Sequence, residues 1–152
     1  MIRPARADDA PALAALQSHL DAPSPRLLAT YAPLGTCLVS VADAGDADVD
    51  AAPVGYVLAI GDGDTHVAEL VVHPDHRREG RARALLRAVI ARREPADRVT
   101  LTVAADNDPA RSLYESVGFR RIDRRHGFYA SVSGVADDAV VYAYDAGGDA
   151  GA

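Results

Sequence analysis

The chain has 152 residues, enough for one domain with a buried core, and its 22 acidic against 16 basic side chains give a formal net charge of −6. That balance disfavours nonspecific nucleic-acid binding, which runs on phosphate neutralisation, and no apolar run is long enough to span a bilayer. A single cysteine, Cys37, excludes an internal disulfide, and the N-terminus lacks the basic start and apolar stretch of a signal peptide, so cytoplasmic residence is expected. Lysine is absent. GC-rich coding bias and a salt-rich cytoplasm both account for that, and neither bears on fold.

Ile2 to Arg6 reads as a short first strand, with Pro4 suited to an edge. Asp8 or Asp9 is expected to cap a helix in which Leu13, Leu16 and Leu20 share a face. Pro23 and Pro25 break it, and Arg26 to Tyr31 reads as a second short helix. Cys37 to Val41 is a strand, and the Asp/Ala/Gly-rich run from Asp43 to Pro53 reads as a flexible hairpin loop. Val54 to Ile60 and Thr65 to Val72 are strands joined by a tight turn, Gly61 to Asp64.

After Gly80 a helix turns Ala82, Leu85, Leu86, Val89 and Ile90 inward and Arg87, Arg92 and Arg93 outward, and Pro95 ends it. Val99 to Val103 alternates as a strand. Asp108 is expected to cap a helix with Pro109 at its first position, and Gly118 is its stop. Phe119 to Tyr129 and Ala139 to Tyr144 read as a closing pair of strands, and residues 146–152 as a disordered tail. The order predicts one α/β domain over residues 1–145 around a mixed, mostly antiparallel sheet flanked by helices.

The stretch from Glu69 to Leu86 is the most informative: a buried strand, a basic turn with one glycine, then an amphipathic helix. The first amides of a helix lack intrahelical acceptors and carry the positive end of its dipole. Gly80 and the small Ala82 let an anion approach that backbone, and Arg77, Arg78, Arg81 and Arg83 add charged donors. The pattern is that of a pyrophosphate cradle. It lacks the Gly-Lys-Ser/Thr of a P-loop and the Gly-x-Gly-x-x-Gly of a dinucleotide fold. Arg87, Arg92 and Arg93 read as a solvated helix face.

Arg77-Arg-Glu-Gly80-Arg-Ala82 resembles the Arg/Gln-x-x-Gly-x-Gly/Ala loop of GNAT N-acetyltransferases. Asn107-Asp-Pro-Ala110-Arg-Ser-Leu113-Tyr114-Glu-Ser-Val-Gly118-Phe119 resembles that family's second block, Asn-x-x-Ala-x-x-Leu-Tyr-x-x-x-Gly-Phe. The two blocks stand in the family's order and spacing, and the resemblance runs from Ile2 to about Tyr144. It implies an acetyl-CoA-dependent N-acetyltransferase in which Arg77, Arg78, Glu79, Gly80, Arg81, Ala82 and Arg83 wrap the pyrophosphate. It further implies that the backbone of Leu70, Val71 and Val72 meets the thioester and pantetheine, and that Asn107 bonds the pantetheine arm. Asn107 also reads as a plain turn or cap residue.

Acetyl transfer to an amine needs a base for the ammonium, a donor for the oxyanion and a proton for the leaving thiolate. Tyr114 fits the last, sharing a helix face with Ala110, Leu113 and Val117; alone it would read as a core tyrosine. Glu69, one of four glutamates, lies on an otherwise apolar strand and fits the base. Glu69 facing outward on the wet side of the sheet is the open alternative. In one branch of the family the base lies at the position of Thr102, which threonine cannot serve, so Glu69 or ordered water remains. His73 and His76 lack the further ligands a metal needs, and nothing beside Cys37 makes it an acyl-carrying nucleophile.

Arg124-Arg-His-Gly-Phe128-Tyr129 followed by Asp137-Asp138-Ala139-Val-Val-Tyr142 resembles the Arg-x-Tyr-Tyr … Asp-Ala-x-x-Met ending of protein N-terminal acetyltransferases. This implies a peptide α-amine as acceptor beside Phe128 and Tyr129, although Phe128 replaces a tyrosine and the branch's tryptophan is missing. A small amine acceptor and a non-catalytic acyl-CoA-binding module are the alternatives. No metal, nucleic acid or membrane partner is expected, and the protein is expected as a monomer or homodimer.

Overall fold

The computed structural model describes residues 1–20, 25–32, 37–42, 52–61, 63–94, 97–130 and 136–145. The side chains of residues 25, 27, 31, 126–130, 136 and 137 lie outside that description, as do the loop expected after Asp43 and the tail expected from residue 146.

The strands are β1 (Ile2–Pro4), β2 (Cys37–Val41), β3 (Pro53–Ile60), β4 (Thr65–Val72), β5 (Arg98–Ala104), β6 (Arg120–Ala130) and β7 (Ala136–Asp145). The helices are α1 (Ala10–Gln17), α2 (Pro25–Tyr31), α3 (Arg81–Ala91) and α4 (Asp108–Val117), with single 3₁₀ turns at Ala7–Asp9 and Pro74–His76. The seven strands form one sheet in the order β1-β2-β3-β4-β5-β7-β6. β4 and β5 pair in parallel, and α3 fills the crossover that a parallel pair requires. The pairs β1–β2, β2–β3, β5–β7 and β6–β7 are antiparallel. This is the mostly antiparallel α/β sheet expected.

The chain divides into two compact units. The first comprises Met1–Ile60 and Ala68–Val89, and the second Gly61–Val67 and Ile90–Ala152. In the first, Leu13 and Leu16 of α1 and Leu28 of α2 pack with Cys37, Val39, Tyr56, Leu58 and Val71 of the sheet. Burying a leucine of this kind contributes about 1.5–3 kcal/mol. β2 is buried at all five positions, as befits an internal strand, while Pro4 falls on edge strand β1 where a missing N–H costs nothing. In the second unit β5 alternates, burying Val99, Leu101 and Val103, and β7 is buried from Ala139 to Ala143.

Several local expectations are corrected. Asp9 precedes α1 but its carboxylate makes no cap bond to that helix. It accepts from Arg3 Nη1 and Nη2 at 2.8 and 3.0 Å and from the Arg6 amide at 2.7 Å. A guanidinium is the stronger partner, and it ties the 3₁₀ turn to β1. Leu20 lies past the end of α1 yet still packs against the core. Pro53 belongs to β3, opposite Val41. Arg93 is half-buried rather than on a solvated face, and its Nη1 donates to Thr65 Oγ1 at 2.8 Å. Asn107, not Asp108, caps α4: its Oδ1 accepts from the Ala110 amide at 3.3 Å, which shifts Pro109 to the second position.

Candidate active site

In the first unit, β4 ends in the Pro74–His76 turn, and α3 begins at Arg81. Between them Arg78 and Gly80 both adopt left-handed backbone, at φ 64° and 77°. The first helical bond runs from the Ala84 amide to the Gly80 carbonyl at 3.0 Å, so the amides of Arg81, Ala82 and Arg83 precede the ladder. A Cβ built on Gly80 meets nothing within 4 Å, which leaves open space over this helix start. An anion can approach bare backbone there.

The side chains around the turn are used unevenly. Arg77 Nε donates to the Val72 carbonyl at 3.1 Å and fastens the turn to the end of β4. Arg81 Nη1 donates to Ser40 Oγ at 3.0 Å and to the Val41 carbonyl at 3.4 Å, while its Nε donates to Glu79 Oε1 at 2.7 Å. Arg81 therefore braces the cradle against β2, and its amide is what it offers an anion. Glu79 is an internal partner of Arg81, whose hydrogen bond holds that carboxyl below its usual range. Arg78 is exposed and Arg83 half-buried. Leu70 is half-buried, and Val71 and Val72 are buried on β4.

Glu69 faces the interior, not the wet side of the sheet, with 5% of its surface exposed. Its Oε1 accepts from the Tyr56 hydroxyl at 2.7 Å. Gln17 Nε2 donates to Oε1 at 3.1 Å and to Oε2 at 3.4 Å. Tyr56 is fully buried, and burial followed by the bond to Glu69 holds its phenol well above the ordinary range. Gln17 and Tyr56 escaped sequence reading, since one lies 52 residues from Glu69 on a helix. Tyr56 had a signal: counting back from the Gly61–Asp64 turn in a regular hairpin sets it opposite Glu69.

Gln17 also lines a cavity of about 390 Å³ with Leu13, Leu28 and a row of alanines from the Ala5 segment, α1 and α2. Cys37 is fully buried nearby in the same core, and burial, with Asp9 and Glu69 adding, pushes its thiol up to about 12. A thiol so far from ionising is no nucleophile.

In the second unit Tyr114 is half-buried in α4, its ring 6.2 Å from that of Phe119 and 6.0 Å from that of Tyr142. The helix stop fixes it. Gly118 sits at φ 118°, the Phe119 amide donates to the Tyr114 carbonyl at 3.0 Å, and the Gly118 amide donates to the Glu115 carbonyl at 3.1 Å. This is a Schellman ending with its usual apolar contact, here Phe119 on Tyr114. A Cβ at Gly118 would also stand 2.9 Å from the Tyr144 ring. The Tyr-x-x-x-Gly-Phe spacing is thus one device that ends the helix and sets the tyrosine. Tyr142 supports it from β7: its hydroxyl donates to Glu115 Oε2 at 2.7 Å and accepts from Arg111 Nε at 3.1 Å.

Asn107 is exposed, with its oxygen engaged in the cap. The backbone of Phe128 and Tyr129 lies on β6, where Tyr129 pairs with Asp137, and both side chains are outside the described residues. Thr102 is half-buried on β5. Among the described residues no group of three or more His, Cys, Asp or Glu could hold a metal ion, and no helix is long and apolar enough to cross a membrane.

The family profile of the acetyltransferase (GNAT) domain matches residues 44–130. The [ribosomal protein bS18]-alanine N-acetyltransferase of Escherichia coli (strain K12) is 38% identical over 76 residues, which are 49% of this chain and 51% of that protein. UPF0157 protein YqkA of Bacillus subtilis (strain 168) is 44% identical over 57 residues, 38% of this chain and 17% of that protein. The chain thus spans about half or less of the length of these curated relatives. The crystal structure of Arabidopsis thaliana NAA60 in complex with a bisubstrate analogue aligns with a TM-score of 0.79 at 25% identity, covering 95% of this chain and 96% of that one. With a family profile matching more than half of its residues, and with both motif blocks built as described, the chain belongs to the GNAT acetyltransferase family.

Proposed function

We propose that this protein moves the acetyl group of acetyl-CoA to the α-amine of a peptide or protein N-terminus by direct attack in a ternary complex. The observation that carries the acetyl-CoA reading is the open helix start at Gly80, at the end of the strand that bears Glu69. The pyrophosphate lies on the amides of Arg81 to Arg83 with Arg78 and Arg83 as charged partners, and the thioester lies along Leu70 to Val72. Asn107, through its amide nitrogen, meets the pantetheine arm. Glu69 takes the ammonium proton, directly or through water, and the freed lone pair attacks the thioester carbon. As the tetrahedral intermediate collapses, the C–S bond breaks and the leaving sulfur takes a proton from the Tyr114 hydroxyl. The nitrogen's second proton returns through water to the Tyr114 oxygen, and Glu69 releases its proton to solvent. A phenol of pKa ~10 is reasonably matched to a thiol of pKa ~8.5.

The acceptor reading is supported by the relative that acetylates an alanine of ribosomal protein bS18 and by the Phe128-Tyr129 pair on β6. An α-amine ordinarily titrates at ~8 against ~10.4 for a lysine side chain, so it also asks less of the base. The test offers labelled acetyl-CoA with peptides of small first residue, lysine-bearing peptides, polyamines and amino compounds, at low and high salt, with products located by mass spectrometry. Acetylation at peptide N-termini is expected. Turnover of a small amine with none on any peptide terminus would replace the peptide by a small molecule, and binding without turnover would leave an acyl-CoA-binding module.

A further inference from the structure

Glu69 is a carboxylate taken out of water, and a phenol from β3 and a carboxamide from α1 both donate to it. Burying a carboxylate is costly, and a purely structural position is served as well by an apolar side chain. The phenol and the amide orient the two oxygens. The hydroxyl at 2.7 Å fixes Oε1, and the amide, reaching both oxygens, fixes the plane of the carboxylate. Both donors are themselves buried, Tyr56 at 0% and Gln17 at 7% exposure.

We infer that Gln17 and Tyr56 are positioning residues that hold the Glu69 carboxylate in the orientation from which it receives the acceptor's proton. The inference rests on the reading of Glu69 as the base. Gln17 stands in the cavity wall as well as on the carboxylate.

The test compares Tyr56→Phe, which keeps the ring, Gln17→Met, which keeps the length, Glu69→Gln, and Tyr56→Phe combined with Glu69→Gln. The assay uses acetyl-CoA and a short peptide with N-terminal alanine. Tyr56→Phe and Gln17→Met should each lower kcat about tenfold, the rate equivalent of one charge-assisted hydrogen bond, with KM for acetyl-CoA unchanged. In the Glu69→Gln background the Tyr56→Phe loss should disappear. A readout that needs no acceptor accompanies it: the Glu69 carboxylate stretch, isolated by infrared difference against Glu69→Gln, should shift in both donor variants. Wild-type kcat and an unshifted band in the donor variants, with Glu69→Gln slow, overturn the positioning role alone. Wild-type kcat in Glu69→Gln overturns the base reading and this inference with it. Should Tyr56→Phe fail to fold, Gln17→Met carries both readouts.

Discussion

Two buried carboxylates in the first unit are gripped differently: a guanidinium clasps one, and a phenol and an amide donate to the other. Asp9, 6% exposed, is clasped by both terminal nitrogens of Arg3 and by the Arg6 amide. The Arg3 hydrogen bond, opposed by burial, leaves its carboxyl below the usual range. Glu69, 5% exposed, is held by a phenol and an amide. An ion pair suits a carboxylate whose task is to stay charged and hold β1 to the turn after it. The phenol and the amide orient a carboxylate proposed to act as the base. Burial alone does not tell a working carboxylate from a structural one, and kinetics on the two separates them.

The largest effect expected to sharpen this contrast is on rate. Glu69→Gln should lower kcat by about 10²–10⁴-fold with little change in acetyl-CoA affinity, and Asp9→Asn should leave the turnover of folded protein unchanged. Steady-state kinetics on both variants decides it, and comparable losses in the two would erase the distinction. Next comes stability. Asp9→Asn removes one end of a partly screened ion pair, costing roughly 1–3 kcal/mol, and each kcal/mol lowers Tm by about 2–4 °C in a chain of this size. Differential scanning calorimetry reads it directly.

A smaller effect follows from pH. The folded state depresses the Asp9 carboxyl, so the stability it supplies is present above the unfolded value of ~3.9 and is lost as pH falls through the folded one. The Tm gap between wild type and Asp9→Asn should therefore close below about pH 4. The smallest test uses Cys37, which feels both carboxylates through its raised thiol. Its alkylation by iodoacetamide near neutrality should be no faster than unfolding, in wild type and in both variants. Rapid labelling of folded protein would mean that this core opens more readily than its packing implies.

Much of this architecture was legible because local patterns carried it. The alternation in Val99–Val103 and the Gly80 and Gly118 punctuation report backbone states that short-range chemistry dictates. Side-chain destinations were less legible. Asp9 follows the pattern of a helix cap, yet a guanidinium six residues upstream outcompetes an amide for it. Arg81 reads as a phosphate ligand, yet Ser40, 41 residues away, holds its head. Asn107 took the cap expected of Asp108 because a side chain one residue earlier reaches the Ala110 amide. The grip of Gln17 on Glu69 spans 52 residues and two kinds of element, and nothing in either neighbourhood announces it.

Gly80 shows where folding and ligand divide the authority over one position. Its positive φ asks for a residue at ease in the left-handed region, and the empty volume around its absent Cβ asks for nothing more. Asparagine meets the first demand nearly as well as glycine. In the site proposed above, a side chain at this point would fill the space through which a phosphate reaches the amides. Drift at residue 80 is thus cheap for the fold and expensive for the ligand. On the proposed reading, an asparagine here would mark a chain that still folds but has given up its cofactor.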